Sequence, residues 1–286
     1  MRIACMGEAM IELSILGSNA QVGVAGDTLN TAIYLHRTAP DIQVDYLTCV
    51  GDDAFSERIV DFVAAQGIGT APIRQISGAS PGLYAISTTP EGERSFAYWR
   101  DTSAARQLFD DLDFSVLQSY DAVYLSGISL AILPNSVRMA LLDWLGGVPL
   151  KVIFDSNYRR RLWEDVEAAR SVTRAFWDRA DIALPSIDDE MLLFDETAKG
   201  VSQRFITRGG PGALKRGEVG PLSLGEHVDQ HYPPAPVSVD TTAAGDSFNG
   251  GYLGAILSGK SQAEALMVGH TLAAKVVQHR GAIIPK

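Results

Sequence analysis

Short apolar runs alternate along this chain with longer stretches of helical periodicity. The apolar runs fall at residues 2–6, 44–50, 122–125, 152–155, 182–184 and 204–207. Each run has the length of a strand that is buried on both faces, and helical stretches separate most of the runs. The alternation predicts an α/β fold with a mostly parallel central sheet flanked by helices.

The helical stretches carry their own start and stop signals. The clearest one covers residues 54–66, where Asp53 can cap the first turn and Gly67 can end the last turn. Further helices are predicted at residues 136–145, 164–179, 245–257 and 262–279.

Residues 81–100 depart from this rhythm, because side chains alternate there with a period of two about a turn at residues 89–93. The pattern predicts a β-hairpin. A hairpin inserted into a parallel α/β domain does not easily join the central sheet, so we place it in a small accessory sheet with the strands flanking Glu12 and Val22. Such a β-sheet lid can cover a ligand bound at the carboxyl ends of the main strands.

No internal repeat, low-complexity tract or linker divides the 286 residues. This length allows one large α/β domain with a substantial core. We therefore predict a single domain over residues 1–286, with a discontinuous lid formed by about residues 9–25 and 71–101.

The charge balance limits the classes of partner. The formal net charge is −10, which opposes a basic face that follows a phosphodiester backbone, so we expect no nucleic acid partner. The acidity still permits ATP, because a nucleotide pocket needs only local amide donors and a few cations. The charge balance therefore disfavours nucleic-acid binding and leaves ATP binding open.

The remaining composition indicates an ordinary cytoplasmic protein. The cysteines, Cys5 and Cys49, each lie in a short apolar run without a metal-like or redox-like motif, and we interpret them as reduced core residues. The first residues lack a long apolar stretch with a cleavage site, and no segment approaches the roughly 20 apolar residues that span a bilayer. We expect no membrane partner.

The strongest chemical signal is the segment D-T-T-A-A-G-D at residues 240–246, which leads into a predicted helix. Free amides at a helix start favour negative charge, and the small residues Ala243, Ala244 and Gly245 leave the backbone open to a phosphate. Asp246 lies beside this anion site, where we expect the helix field to keep it ionised so that it can accept a proton from a substrate hydroxyl. The alternative is an ordinary helix entry with a favourable first-turn acid.

A second polar segment lies near the amino end, at residues 23–32. Gly26 allows a close backbone approach, while Asp27 and Asn30 offer polar atoms to sugar hydroxyls. A Gly-Asp turn that caps a helix explains the same residues without a ligand.

Together these segments resemble the signatures of the ribokinase-like, or PfkB, carbohydrate kinases. The family pattern D-T-x-G-A-G-D matches residues 240–246 except that Ala243 replaces the first glycine, and residues 7–14 and 23–32 are similar to the family's opening strand and first glycine signature. The resemblance implies a ribokinase-like fold and the use of ATP with Mg²⁺, and it leaves room for a monovalent cation. We also expect a homo-oligomer.

Further segments narrow the resemblance to the sugar-acid kinases of this family. They lie at residues 81–84, 98–100, 125–133, 155–159 and 280–285. The implied reaction transfers the ATP γ-phosphoryl group to the terminal hydroxyl of 2-keto-3-deoxygluconate. A kinase of fructose or a related ketose, and a non-catalytic sugar-acid sensor, are the alternatives.

Carried over to this sequence, the resemblance implies a set of substrate-binding residues around Asp246. They are Gly26, Tyr84, Tyr98, Arg100 and Arg159. The arginines suit a substrate carboxylate, because guanidinium groups form charge-assisted hydrogen bonds with it. The alternatives are cross-strand packing for the tyrosines, a solvated charge for Arg159 and an ion pair of Arg100 with Asp101 or Glu93.

The resemblance also assigns the nucleotide side. The segment at residues 206–213 resembles the family's ATP loop, with Thr207, Gly209 and Gly212 near the nucleotide, although many relatives have lysine where Thr207 stands. His270 edges the adenine pocket or is a histidine on a helix surface.

The acidic motif of the family is represented by residues 186–190, which leaves Glu190 to order magnesium through water. The stretch between Glu190 and Arg204 is too short for the helix that relatives place before the ATP-loop strand. Either a surface helix is lost or residues are missing from the sequence.

Overall fold

A computed structural model describes residues 1–88 and 94–285. The turn predicted at residues 89–93 and Glu93 lie outside them. Within the described residues the strands are, in chain order, β1 (Arg2–Met6), β2 (Met10–Leu16), β3 (Asn19–Ala25), β4 (Gln43–Leu47), β5 (Cys49–Val50), β6 (Arg74–Gln75), β7 (Leu83–Thr88), β8 (Arg94–Trp99), β9 (Ala122–Ser126), β10 (Lys151–Asp155), β11 (Ile182–Ala183), β12 (Gly212–Leu214) and β13 (Leu222–Leu224). The α-helices are α1 (Asp27–Thr38), α2 (Ala54–Ala65), α3 (Gly127–Ala131), α4 (Asn135–Gly146), α5 (Val166–Arg179), α6 (Ile187–Phe194), α7 (Ala198–Arg208), α8 (Ala244–Leu257) and α9 (Gln262–Val276).

The central sheet has the strand order β13-β12-β11-β10-β9-β1-β4. Its strands are parallel except for β13, which pairs with β12 in the antiparallel direction. Separate hydrophobic clusters cover the two faces of the sheet, which explains why the inner strands are apolar at nearly every position. The predicted mostly parallel sheet flanked by helices is confirmed.

A second sheet has the strand order β3-β2-β7-β8. Strands β7 and β8 form the predicted antiparallel hairpin, and β7 joins β2, the strand that contains Glu12. Strand β3, which contains Val22, completes the sheet. The predicted lid segment starts too early at residue 71, because β6 pairs with β5 outside this sheet.

The helix signals in the sequence are largely confirmed. The Asp53 side chain caps α2 by accepting a hydrogen bond from the Ser56 amide at 2.8 Å. The other four predicted helices correspond to α4, α5, α8 and α9, with ends displaced by up to three residues. None of the helices in the described part of the chain is long and apolar enough to cross a membrane.

The strand predicted at residues 204–207 is wrong, because these residues form the last turns of α7. Val201 and Phe205 are buried four residues apart on one helix face, and Thr197 caps the first turn. The helix ends at Gly209, whose φ of 70° suits glycine. Helix α7 therefore lies between Glu190 and strand β12, at the place where we expected a helix to be lost or residues to be missing.

Two glycines bring helices α1 and α8 into close contact. A Cβ atom at Gly250 would lie 2.5 Å from Cβ of Tyr34, and one at Gly254 would lie 2.6 Å from Cβ of Thr38. Side chains at these positions would push the helices apart. The contact fixes the first turns of α1 and α8 side by side.

Candidate active site

A single cavity of about 810 Å³ connects the carboxyl ends of the main strands with the second sheet and the start of α8. Its wall contains most of the predicted site residues, namely Gly26, Asp27, Asn30, Tyr84, Tyr98, Arg100, Arg159, Ala243, Ala244, Gly245, Asp246 and His270. Glu190, Thr207, Gly209 and Gly212 do not line it. The position of the cavity agrees with the general rule for open α/β sheets.

Asp246 lies in the first turn of α8 and faces the first turn of α1. Its Oδ2 atom accepts a hydrogen bond from Nδ2 of Asn30 at 2.9 Å. Its backbone oxygen accepts a second bond from Oγ1 of Thr31 at 3.3 Å. Gly26 permits this arrangement, because a Cβ atom there would collide with the carbonyl oxygen of Glu8.

The backbone before Asp246 turns sharply into the helix. Ala243 has a φ of 60°, which lies in the left-handed region. The family pattern has glycine at this position, and glycine adopts such a φ without steric cost. The amide of Ala244 donates to the carbonyl oxygen of Thr241 at 3.2 Å, so it is not the free donor that we predicted. Within the described chain, the amides of Gly245 and Asp246 have no acceptor and point to the N-terminal end of the helix, where an anion binds favourably.

The electrostatic environment of Asp246 differs from the sequence-based expectation. Burial, and next the nearby Asp27 carboxylate, raise the pKa of Asp246 to about 8, although the hydrogen bond from Asn30 lowers it. We had expected the helix field to keep this carboxyl ionised. The raised pKa shows that the helix field alone does not do so. A pKa in this range is typical of a general base that works near neutral pH.

Asp27 belongs to a polar cluster at the ends of β9 and β10. Its Oδ2 atom accepts hydrogen bonds from Oγ of Ser126 at 2.5 Å and from Nδ2 of Asn157 at 2.7 Å. Asn157 has a φ of 28°, an uncommon value for a non-glycine residue. Asn157 lies in the segment at residues 155–159 that narrowed the family resemblance to sugar-acid kinases.

Lys215 follows β12 and enters the cavity near the start of α8. Its Nζ atom lies 2.8 Å from Oδ1 of Asp155 and 3.1 Å from Oδ1 of Asn249. Asn249 in turn donates to Oδ2 of Asp155 at 2.6 Å. The network holds an ammonium group beside the anion site, where Lys215 carbon atoms would lie about 4 Å from a Cβ at Gly245.

The residues predicted for the ATP loop do not border the cavity. Thr207 is exposed on α7 and Gly209 ends that helix, whereas Gly212 lies within β12. Both T-R-G-G-P-G at residues 207–212 and K-R-G-E-V-G at residues 215–220 place glycines at the same spacing. Within the described chain only the second segment follows a strand of the central sheet, and it begins with Lys215.

Glu190 is a structural residue in this arrangement. Its side chain is fully buried, pairs with Nη2 of Arg204 at 2.8 Å and accepts a hydrogen bond from Nε1 of Trp177 at 3.1 Å. Burial raises the pKa of Glu190 to about 7, although Arg204 lowers it. The neighbouring Asp188 and Asp189 line the cavity instead, because one helical turn directs adjacent residues to different sides.

His270 lies in the cavity wall and is 7% exposed. A ring nitrogen, Nε2, is 2.7 Å from the carbonyl oxygen of Pro233, and the ring lies 5.3 Å from that of Tyr232. It is therefore not a histidine on a free helix surface. Its place at an adenine pocket stays a prediction.

An aromatic stack forms the wall on the side of the second sheet. Tyr84 and Tyr98 are cross-strand partners whose rings lie 5.5 Å apart, and both line the cavity. The hydroxyl of Tyr84 donates to the Glu12 carboxylate. The guanidinium of Arg161 lies 3.6 Å from the centre of the Tyr98 ring. The tyrosines thus combine cross-strand packing with a position at the cavity, and Arg161 was missed.

The two predicted arginines have different partners. Arg100 is 6% exposed and forms an ion pair with Glu8, which is 1% exposed, rather than with Asp101. Arg159 donates to the carbonyl oxygen of Tyr158 at 2.7 Å and lies 3.3 Å from Oδ1 of Asp189. Burial raises the pKa of Glu8, although Arg100 lowers it. The Glu8 and Arg100 pair ties the second sheet to the main body.

Some buried polar atoms of the cavity wall have no partner in the described protein. They include Oδ1 of Asn30 and Nε of Arg100. Buried donors and acceptors are almost always satisfied in stable complexes. A ligand rich in hydroxyl and carboxylate oxygens can satisfy them.

The comparison with family models decides the class of protein. The model of the pfkB family of carbohydrate kinases matches residues 1–286. The chain belongs to the pfkB family of carbohydrate kinases. Asp246 and the helix start with free amides lie in the segment of this pfkB-family kinase that resembled the family signature.

Relatives of this pfkB-family kinase match it over nearly their full length. The 2-dehydro-3-deoxygluconokinase of Dickeya dadantii is 42% identical, covering 99% of this chain and 96% of the relative. The enzyme of the same name from Haemophilus influenzae is 39% identical, covering 100% and 96%.

Solved structures share the ribokinase-like fold. A PfkB protein from Polaromonas has a TM-score of 0.83 at 26% identity, covering 97% of this kinase and 95% of that chain. A 2-dehydro-3-deoxygluconokinase from Thermotoga maritima has a TM-score of 0.82 at 18% identity, covering 99% and 96%. The second likeness is one of fold alone.

Proposed function

We propose that this kinase transfers the γ-phosphoryl group of ATP to the terminal hydroxyl of 2-keto-3-deoxygluconate, which gives ADP and 2-keto-3-deoxy-6-phosphogluconate. This sugar acid is the 2-dehydro-3-deoxygluconate in the names of the relatives. The observation that carries the proposal is that one cavity joins Asp246, at a helix start with free amides, to a wall of tyrosines and arginines. The relatives support the choice of a sugar acid.

Asp246 is the general base in this proposal. Its carboxylate accepts the proton of the sugar hydroxyl while the hydroxyl oxygen attacks the γ-phosphorus and the bond from that phosphorus to the leaving ADP oxygen breaks. Asn30 orients the carboxylate through its hydrogen bond to Oδ2. No covalent enzyme intermediate is needed.

The start of α8 stabilises the charge that moves during transfer. The amides of Gly245 and Asp246 act as donors to the phosphoryl oxygens, and the helix dipole adds to their effect. Lys215 supplies a positive charge at the same place, held there by Asp155 and Asn249. Fixed donors of this kind need no reorganisation during the reaction.

Asp188 and Asp189 fit magnesium better than Glu190 does. Magnesium binds through one or two carboxylates together with phosphate oxygens and water. Both aspartates line the cavity beside the loop of Lys215. The carbonyl oxygen of Lys215 accepts a hydrogen bond from the Ile187 amide at 2.9 Å. Burial raises the pKa of Asp189, and a bound cation would favour its ionised form. Magnesium, when bound, neutralises charge on the phosphoryl group.

The sugar side of the cavity suits a polar chain with a carboxylate. Tyr84 and Tyr98 provide a flat apolar surface with hydroxyl groups, while Asp27 and Asn30 offer acceptors and donors to hydroxyls. The second sheet covers this side and excludes water when a sugar is bound.

A coupled assay of ADP release tests the proposal. We expect release with 2-keto-3-deoxygluconate to exceed release with fructose at equal concentration, and Asp246→Asn to lower kcat by about 10²- to 10⁴-fold, because a general base is lost. Equal activity on fructose would indicate a kinase of neutral ketoses. A thermal shift with the acid but no sugar-dependent ADP release would indicate a sensor.

A further inference from the structure

The arginines on the sugar side of the cavity differ in how far the protein balances their charge. Arg100 is buried in an ion pair with the equally buried Glu8. Arg159 lies 3.3 Å from a carboxylate oxygen of Asp189. Arg161 has no carboxylate partner within the described chain, and its one described contact is the ring of Tyr98.

The contact with Tyr98 leaves the hydrogen-bond donors of Arg161 available. The guanidinium carbon lies 3.6 Å from the centre of the ring, so the guanidinium packs against the ring face. In this contact the guanidinium uses its own flat face rather than its N–H edge. The N–H groups of a stacked guanidinium lie in its plane and keep the geometry that matches a carboxylate. Arg161 also lines the cavity, so these donors border the space where a ligand binds.

A chain of contacts fixes the position of Tyr98. Its ring stacks on Tyr84 at an interplanar angle of 21°, and the Tyr84 hydroxyl is held by Glu12. Arg161 belongs to the main body, in the loop after β10, whereas the tyrosines belong to the second sheet. The stack therefore fixes the guanidinium of Arg161, which belongs to the main body and has no carboxylate partner in the described chain, against Tyr98 of the second sheet.

We infer that Arg161 is a specificity-determining residue that binds the carboxylate of the substrate, with Tyr98 as the residue that positions it. This inference rests on the proposed function, because it assumes that the substrate is an acid. A cation already paired inside the protein gains little from a second anion, whereas an unpaired one gains a full charge-assisted pair. Arg161 thus gives the site its preference for a charged sugar.

The test compares 2-keto-3-deoxygluconate with its methyl ester, in which a methyl group replaces the negative charge of the carboxylate. We expect Arg161→Met to lower the ratio of kcat/KM between acid and ester by about 10- to 150-fold, mainly through KM for the acid, with KM for ATP unchanged. Arg161→Lys keeps the charge but loses the planar fork, so the ratio should fall less.

Arg160→Met is the matched control, since Arg160 is an exposed neighbour that does not line the cavity. Its ratio should equal that of the wild type. An unchanged ratio in Arg161→Met, or an equal loss for acid and ester, overturns the inference and leaves Arg161 as a packing residue. If the wild type does not phosphorylate the acid at all, the proposed function fails instead.

Discussion

Asn30 and Asp246 are 216 residues apart in sequence, yet Nδ2 of Asn30 donates to Oδ2 of Asp246 at 2.9 Å. Each residue lies in the first turn of a helix, and the close packing of α1 on α8 brings the two turns together. The hydrogen bond opposes the effects of burial and of Asp27 on the pKa of Asp246. The relationship therefore links a structural contact to the pH at which Asp246 ionises.

The pH dependence of the free enzyme should report this base. Because the pKa of Asp246 is raised to about 8, its ionised fraction grows as pH rises through that value, and kcat/KM should rise with it. The measurement is kcat/KM for the sugar acid at saturating ATP and Mg²⁺ across a pH series. A profile that is already flat from mildly acidic pH upward would mean that Asp246 ionises at its ordinary pKa.

Substitutions of its neighbours should move the midpoint of that profile in opposite directions. Asn30→Ala removes a hydrogen bond to the ionised form, so the pKa of Asp246 should rise and the midpoint should move to higher pH. Asp27→Asn removes a nearby negative charge, so the midpoint should move to lower pH. Both variants will also lose sugar affinity, which makes the midpoint rather than the rate the quantity that decides. Shifts in the same direction would contradict the assignment.

Lys215 should matter for phosphoryl transfer, whereas Thr207 should not. Lys215→Met removes the ammonium beside the anion site and should lower kcat/KM for ATP by about 10- to 150-fold, as expected for a lost charge-assisted contact. Thr207→Val changes an exposed side chain of α7 and serves as the control. If Thr207→Val harms ATP use as much as Lys215→Met does, the loop at residues 215–220 has been assigned the wrong role.

The carboxylates of α6 should separate structure from magnesium binding. Asp189→Asn should raise the Mg²⁺ concentration that gives half-maximal activity, because a cavity carboxylate is lost. Glu190→Gln should leave the Mg²⁺ dependence unchanged, since Glu190 faces Arg204 and Trp177. A higher Mg²⁺ requirement in Glu190→Gln alone would restore Glu190 as the metal residue.

Glu190→Gln should also change how stability depends on pH. The folded pKa of about 7 lies above the ordinary value of 4.5, so the folded protein binds the proton more tightly than the unfolded chain does. In the wild type this group therefore stabilises the fold at low pH, and its contribution to the free energy of unfolding falls as pH rises from about 4.5 to about 7. Urea titrations at several pH values should show a smaller fall in the variant.

Arg100→Met should damage the fold before it damages recognition. It leaves Glu8 buried without its cation, and breaking one side of a buried pair costs about 3–5 kcal/mol. Chemical denaturation measures the loss. The double variant Glu8→Gln with Arg100→Met should recover much of the stability, because no buried charge is left unpaired. A fully stable single variant would show that Arg100 is free to serve the substrate alone.

The sequence predicted the layers of the fold and the helix start at Asp246, which lies at the cavity, whereas the residues predicted for the nucleotide loop lie outside the cavity wall. Strands such as β1 and β9 are buried on both faces, so their apolar runs are distinctive, and Asp53 carries a strong capping signal at α2. The segment ending at Asp246 combines small residues, an acid and a helix start, which few other structures require together. These features are local, and local patterns can be read from sequence.

The errors arose where two local patterns compete. Residues 204–207 are apolar enough for a strand, but the burial of Val201 and Phe205 on one face makes them helical. That misplaced strand led us to place the nucleotide loop at residues 206–213, which lie outside the wall of the cavity. The roles of Glu8, Lys215 and Arg161 depend on contacts between distant segments, and single-sequence patterns do not contain such contacts.

The glycine contact between α1 and α8 has a consequence for how this enzyme can evolve. It attaches Asn30 and Asp246 to the packed helices of the main body, while the aromatic surface that lines the cavity belongs to a separate sheet. Substitutions in that sheet can therefore alter the aromatic part of the cavity wall without disturbing the contact between Asn30 and Asp246. The architecture thus allows one wall of the cavity to vary while the helix contact that holds Asp246 is kept.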